Sequence, residues 1–250
     1  MTKVQARTVL AGVKDALSSK AYDAAYAREL VNEYPSVDAF EQRMGFALER
    51  NRLERAARVL ACPLKTNPPN WQHGRVLYSA ARGYLLGQCD VAILDIGTAK
   101  GFSALCLLWA LRDTDIIGSV TSVDVLDPAA AVRRNTVAEV DGLKTLAQIL
   151  EPWPEAHAIR FKQRTGGEEL ADGRSRIHIC FIDGKHNAKN VAMEGYLLAQ
   201  RQMVGDLAIF DDVHIDEVHQ AVKTLRSQYD LERLEVIPGK RAYAIGVRRG

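Results

Sequence analysis

Hydrophobic positions change their period once along this chain. Up to about residue 60 they recur at helical spacing, as Leu10, Val13 and Leu17, then Tyr22, Tyr26 and Leu30, then Phe40, Met44, Ala47 and Leu48. Pro35-Ser36 interrupts the pattern and offers Ser36 as an N-cap. YDAAYAREL and LERAARVLA are faintly alike, but fewer than two copies cannot make a self-supporting solenoid, so residues 1–61 read as a helical cap. A breaker-rich segment, CPLKTNPPNWQHG (62–74), leads into one more helix, RVLYSAARGYLLGQ. From residue 91 short apolar runs alternate with helical stretches: VAILDI, SVTSVDV, AIRFKQ, RIHICFID and DLAIFDD, then LERLEVI and RAYAIGV with only PGK between them. Near-continuous apolar strands mark a parallel sheet covered on both faces, and the short last link makes an antiparallel hairpin. The pattern predicts an α/β fold: a Rossmann-like, mostly parallel seven-stranded sheet in residues 62–250 with a C-terminal antiparallel hairpin, plus the N-terminal helical cap of 1–61.

The first strand-to-helix turn reads LDIGTAKGFSAL, residues 94–105. Gly97 and Gly101 let backbone pass close to a ligand, and the helix from about Phe102 points free N–H groups at the same place. The spacing is G-x-x-x-G with Asp95 two residues before the first glycine, unlike the G-x-G-x-x-G of a dinucleotide turn, so NAD is the weaker reading. VTSVDV ends on Asp124, where a carboxylate can accept both ribose hydroxyls of an adenosine. Two later strands also end in acids, at Asp183 and at Asp211-Asp212, and one helix joins them. Neighbouring strands lie about 4.8 Å apart, so these carboxylates can converge on one ion. Hard oxygen donors favour magnesium, manganese or calcium over zinc. The competing reading is that Asp183 ends a strand and Asp212 caps a helix. His186, with an ordinary pKa of about 6.5, can take a proton, and Lys185 is a second candidate base.

With these motifs, residues 75–250 resemble the class I S-adenosylmethionine-dependent methyltransferases. The likeness is greatest to the metal-dependent O-methyltransferases, both the catechol type and the macrolide-sugar group that includes macrocin O-methyltransferase. In the sugar group strand four ends in Asp-Gly-x-His and strand five in Asp-Asp, here Asp183-Gly184-Lys185-His186 and Asp211-Asp212. The resemblance implies S-adenosylmethionine (SAM) held at Asp95, Gly97, Thr98, Gly101, Asp124 and Asp183, with Ser103 on the methionine carboxylate and Thr165 near the adenine. It implies Mg2+, or Mn2+ or Ca2+, on Asp183, Asp211 and Asp212, and places His186 ahead of Lys185 as the base, although catechol-type enzymes carry a lysine there. NPPNW (67–71) is similar to the signature of nucleobase amino-methyltransferases, but it precedes the sheet and has Asn70 where that signature has an aromatic residue. It reads as a loop over the cofactor with Trp71 a wall for the substrate, the alternative being a core tryptophan. His214 gets no ligand role.

Composition narrows the partners. A net charge of +2 from 33 basic and 31 acidic residues, well mixed, gives no stripe for tracking phosphates, so nucleic acid is not expected. Cys62, Cys89, Cys106 and Cys180 show no CxxC spacing and read as reduced core residues. The N-terminus lacks the apolar core of a signal peptide, and no run approaches about 18 apolar residues, which predicts a cytoplasmic protein with no membrane partner. The expected reaction is methyl transfer to a hydroxyl of a small polyhydroxylated or sugar-bearing acceptor. Rival readings are a metal-independent enzyme acting on nitrogen or nucleic acid, and a non-catalytic SAM-binding or interaction protein. The cap could shape the acceptor pocket or join copies into a homo-oligomer.

Overall fold

The computed structural model describes residues 19–61, 70–139, 142–185 and 187–250. Leu10, Val13, Leu17, Cys62 and His186 lie outside these residues. Three helices open the described chain: α1 (Ser19–Leu30), α2 (Pro35–Met44) and α3 (Arg50–Leu60). Pro35 itself starts α2, and Tyr34 before it gives no side-chain cap, so Ser36 is not the N-cap. Proline's fixed φ suits the first turn, where an N–H would have no helical partner. Gly45, at φ 77°, returns its N–H to Glu41 and Gln42 and stops α2 at Met44, leaving Ala47 and Leu48 beyond the helix. In α3, Leu53, Ala56, Ala57 and Leu60 bury one stripe at i, i+3, i+4 and i+7.

α4 (Gln72–Leu85) then crosses the molecule's centre. A Cβ at Gly74 would fall 2.8 Å from both Cys106 Sγ and Leu53 Cδ1, so glycine is what lets α4 approach α3 and the next helix this closely. The strands are β1 (Asp90–Ile96), β2 (Ile117–Asp124), β3 (Ile159–Gln163), β4 (Ile179–Ile182), β5 (Leu207–Phe210), β6 (Tyr229–Ile237) and β7 (Arg241–Arg248). They form one seven-stranded sheet in the order β3-β2-β1-β4-β5-β7-β6. All neighbours are parallel except β7, which runs antiparallel to β5 and β6. The sheet and hairpin are those the apolar runs predict.

Between the strands lie α5 (Phe102–Arg112), α6 (Leu146–Leu150), α7 (Gly166–Asp172), α8 (Ala188–Ala199) and α9 (Asp216–Thr224). One core joins α2, α3, α4 and α5 to a sheet face through Phe40, Leu53, Leu77 and Trp109; the other buries Leu170, Leu198 and Val222 of α7, α8 and α9. β4 and β5 are buried at every position, as central strands covered twice must be. The cap thus shares its core with the sheet. Strand order reverses between β1 and β4, and the crevice beyond their C-terminal ends is where an open α/β sheet accepts ligands.

Cys106 and Cys180 are buried and free, but Cys89 is exposed, because it lies in the link from α4 to β1 and not in either core. Among the described residues, no helix is long and apolar enough to cross a membrane.

Candidate active site

At the crevice, the turn after β1 is shaped by two glycines in left-handed backbone, Gly97 (φ 104°) and Gly101 (φ 86°), with Gly101 preceding the first turn of α5. Gly97 packs on β4's end so closely that a Cβ would lie 2.1 Å from the Asp183 carbonyl oxygen. Asp124, at the tip of β2, accepts from Ala99 N–H (2.7 Å) through one oxygen and from Leu126 N–H (2.9 Å) through the other. Each oxygen keeps a lone pair for a further donor. Asp95 is fully buried under the turn, where it accepts from Ser122 Oγ, itself 2.6 Å from Thr98 Oγ1. Burial pushes the Asp95 carboxyl up to about 7, against the pull of the Ser122 and Ser103 hydroxyls. Asp95 and Thr98 therefore brace the turn from beneath.

Two cavities open on either side of this turn and share Gly97, Ala99 and Asp183. The larger, ≈ 620 Å³, is lined by Asp124, Val125, Thr165, Gly184 and Lys185 and by Glu194 of α8. Glu194 is only 3 % exposed, and burial raises its carboxyl to about 7 although the Gly167 N–H holds it down. The smaller, ≈ 310 Å³, is lined by Lys100, Phe102 and Ser103 of the turn, by Asn70 and His73 of the α4 start, and by Asp183, Asp211, Asp212 and Arg241.

The smaller cavity holds the densest charge in the molecule's crevice. Asp183 and Asp211 end the adjacent strands β4 and β5, and a donor atom from each, with one from His73, lie within 4.8 Å of one another. His73 Nδ1 is 3.6 Å from Asp211 Oδ2 and 3.1 Å from the Tyr243 hydroxyl. Burial, reinforced by Arg241, lowers His73 to about 3, so the imidazole is neutral. Arg241 Nη1 donates to both Asp211 oxygens (3.1 and 2.9 Å) and to Asp212 Oδ1 (3.0 Å). Burial drives the Asp183 carboxyl well above its ordinary range, and Asp211 and Asp212 add to the rise. Arg241 and Tyr243 alternate along β7, which the hairpin lays beside β5, so both face Asp211 from one side of the sheet.

The expected residues separate here. Asp183 and Asp211 come together, but His73 and not Asp212 completes the close trio, since Asp212 takes a left-handed φ of 55° that turns it toward Arg241. Lys185 is exposed on the larger cavity and does not line the smaller one, which argues against its role as base. Thr165 does border the larger cavity, yet its hydroxyl is engaged in a capping box with Glu168 that starts α7. Trp71 corrects the substrate-wall expectation. It is 1 % exposed, meets Tyr34 edge-on, donates Nε1–H to Glu29 O (3.2 Å) and carries the Arg50 guanidinium over its ring. It anchors the cap to α4. Trp71→Phe is expected to lower stability by about 1 to 3 kcal/mol through the lost indole hydrogen bond and area, with KM for the acceptor unchanged; a raised KM at wild-type stability would restore the wall.

Residues 94–213, from mid-β1 to just past Asp212, match the family model of a methyltransferase domain. The matched segment holds the glycine turn, Asp124, Asp183, Asp211 and Asp212, whereas His73, Arg241 and Tyr243 of the smaller cavity fall outside it. No curated protein sequence matches the chain. Solved structures agree on the fold. The O-methyltransferase TomG of Streptomyces achromogenes, involved in tomaymycin synthesis and solved with SAM, aligns at TM-score 0.55 and 17% identity over 82% of this chain and 92% of its own. An O-methyltransferase of Bacillus cereus solved with SAH aligns at 0.52 and 14% over 88% and 93%, and an rRNA methylase of Streptococcus thermophilus at 0.51 and 10% over 70% and 96%.

Proposed function

We propose that the protein is a SAM-dependent O-methyltransferase acting on a small hydroxylated acceptor. The observation that carries this reading is the pair of cavities meeting at Gly97, Ala99 and Asp183: one with a ribose-competent Asp124, the other small, acidic and furnished with a neutral imidazole. A nucleoside seats in the larger cavity with its sulfonium toward Asp183, and carboxylates suit that positive charge. The acceptor seats in the smaller. Its oxygen forms the new O–C bond as the S–C bond breaks, leaving S-adenosylhomocysteine (SAH) and one proton to be removed. Among the described lining groups, His73 is the neutral base nearest the carboxylates. The O-methyltransferases TomG and that of Bacillus cereus, solved with SAM and SAH, support the cofactor and the acceptor atom. A cavity of ≈ 310 Å³ lined by three carboxylates suits a small molecule and repels a polyanion, which disfavours RNA.

The donor set also fits a divalent cation. Asp183, Asp211 and His73 would hold it, the last through the one nitrogen that burial keeps unprotonated, so that with the ion bound His73 would be a ligand in place of the base. Such an ion, when bound, lowers the pKa of an acceptor hydroxyl. Calorimetry tests the cofactor: SAH should bind, and Asp124→Ala should weaken it about 10- to 100-fold by removing charge-assisted hydrogen bonds. Tighter binding of NAD than of SAH would remove the assignment. Methyl transfer from labelled SAM to a panel of polyhydroxylated small molecules should stop in EDTA and return with magnesium. Full activity in EDTA sinks the ion alone, and transfer only to RNA overturns the acceptor class.

A further inference from the structure

Away from the crevice, the opposite half of the sheet carries a third cavity, ≈ 330 Å³, on the α7–α8 face. Strand alternation puts Ala92 and Leu94 of β1, Ser119 and Thr121 of β2, and Arg160 and Lys162 of β3 on its floor, with Ala92 paired to Ser119 and Thr121 to Arg160. Under a covering helix these floor positions would be apolar. The helix here, α7, has only 7 residues. The 173–177 segment and Arg201 from the end of α8 form the wall.

The charges of this cavity do not cancel. Lys162 pairs with Glu169 (2.6 Å), which Arg164 also contacts, and Arg176 is held by Asp206 through two hydrogen bonds (2.9 and 2.7 Å). Two guanidinium groups remain. The Arg160 side chain is exposed and makes no hydrogen bond or ion pair with a described residue. Arg201 donates to the carbonyl oxygens of Ser175 (3.0 Å) and Glu169 (2.9 Å), which are dipoles and carry no charge to offset its own. Room for it is made by Gly173, where a Cβ would fall 2.4 Å from Arg201 Nη1. Burial pulls the Arg201 guanidinium below its ordinary pKa, and the Glu169 carboxylate, already paired with Lys162, offsets this only in part.

We propose that this cavity binds a small phosphate-bearing anion between Arg160 and Arg201, with the Ser119 and Thr121 hydroxyls as further donors. Planar guanidinium forks match phosphate oxygens and give short charge-assisted bonds. Glu169 at the wall, and Asp206 behind Arg176, break the continuous basic track that a polynucleotide needs, so the ligand is a compact anion. The site is set back from the proposed reaction: Thr121 and Arg160 precede the ends of β2 and β3 by three residues, about 10 Å along the strands, and Ala92 and Ser119 lie farther back.

Calorimetric titration with pyrophosphate at physiological ionic strength tests it. One site per chain is expected, with unchanged affinity in saturating SAH. Arg160→Glu should weaken binding about tenfold or more, the loss of a charge-assisted contact, and it should not disturb folding because Arg160 holds nothing. Arg226→Glu makes the same charge change at an exposed arginine elsewhere and should alter affinity by less than about twofold. Absence of pyrophosphate binding, equal losses in the two variants, competition by SAH, or a response to oligoribonucleotide but not pyrophosphate would each overturn the proposal.

Discussion

An alanine at position 97 is expected to destabilise the protein by about 3 to 5 kcal/mol and to remove most of its affinity for SAH. Two effects add. At φ 104° an L side chain is strained, and its Cβ would stand 2.1 Å from the Asp183 carbonyl oxygen and 2.7 Å from the carbonyl carbon, both backbone atoms that cannot rotate away. Gly205→Ala separates the two, since Gly205 has a comparable φ of 93° but open space around it. That control should cost only about 1 to 2 kcal/mol. Urea denaturation of both variants gives the difference, which is the contact itself. Equal midpoints would mean that the turn does not press on β4. Relief of the contact must move either the turn or Asp183, and those two form the junction of the cavities, which is why cofactor affinity should fall with stability.

Asp183→Asn should do the opposite to stability while abolishing most of the activity. Turnover is expected to fall by a factor on the order of 10² to 10⁴, because the amide keeps the shape of the side chain but loses the charge that faces both cavities. The Asp183 carboxyl has its folded pKa raised by burial and then by Asp211 and Asp212. A carboxyl raised above its unfolded value contributes stability that is fully present below the unfolded pKa and is lost as pH rises through the folded one. Near pH 8 the charged form is therefore a cost to the metal-free protein, and the neutral amide removes it. The variant should melt higher than the parent at pH 8 and show no such gain near pH 4, and scanning calorimetry at the two values checks the sign. A variant that is active, or that melts lower at both values, would take Asp183 out of the centre of the site. Function held against stability in this way is common where catalysis needs buried charge.

Some of this was legible without a structure because it is encoded locally. Strand and helix periods follow from side-chain alternation within a few residues, so the seven strands, their mostly parallel pairing and the closing hairpin could be read from VAILDI through RAYAIGV. A left-handed turn needs glycine where it stands, and strand ends aimed at a ligand need their acids there, so Gly97, Gly101, Asp124, Asp183 and Asp211 announced themselves by spacing. Partnership across the fold is not local. His73 sits early in a helix that looks like any amphipathic one, and Arg241 and Tyr243 look like ordinary alternation in an edge-bound hairpin; the antiparallel insertion of β7 beside β5 brings all three to Asp211. The same holds for Trp71, whose neighbours Tyr34, Glu29 and Arg50 come from the cap. Likewise, Asp212 looked equivalent to Asp211 until its φ of 55° set them apart, leaving both on Arg241 but only Asp211 beside His73. The sheet, the turn and the carboxylates at the strand ends could be read from the chain alone, because they depend on backbone period and backbone conformation. Packing across the fold decided that Asp211 meets both a neutral imidazole and an arginine while Asp212 meets the arginine, because burial and charge depend on residues that lie far away along the chain.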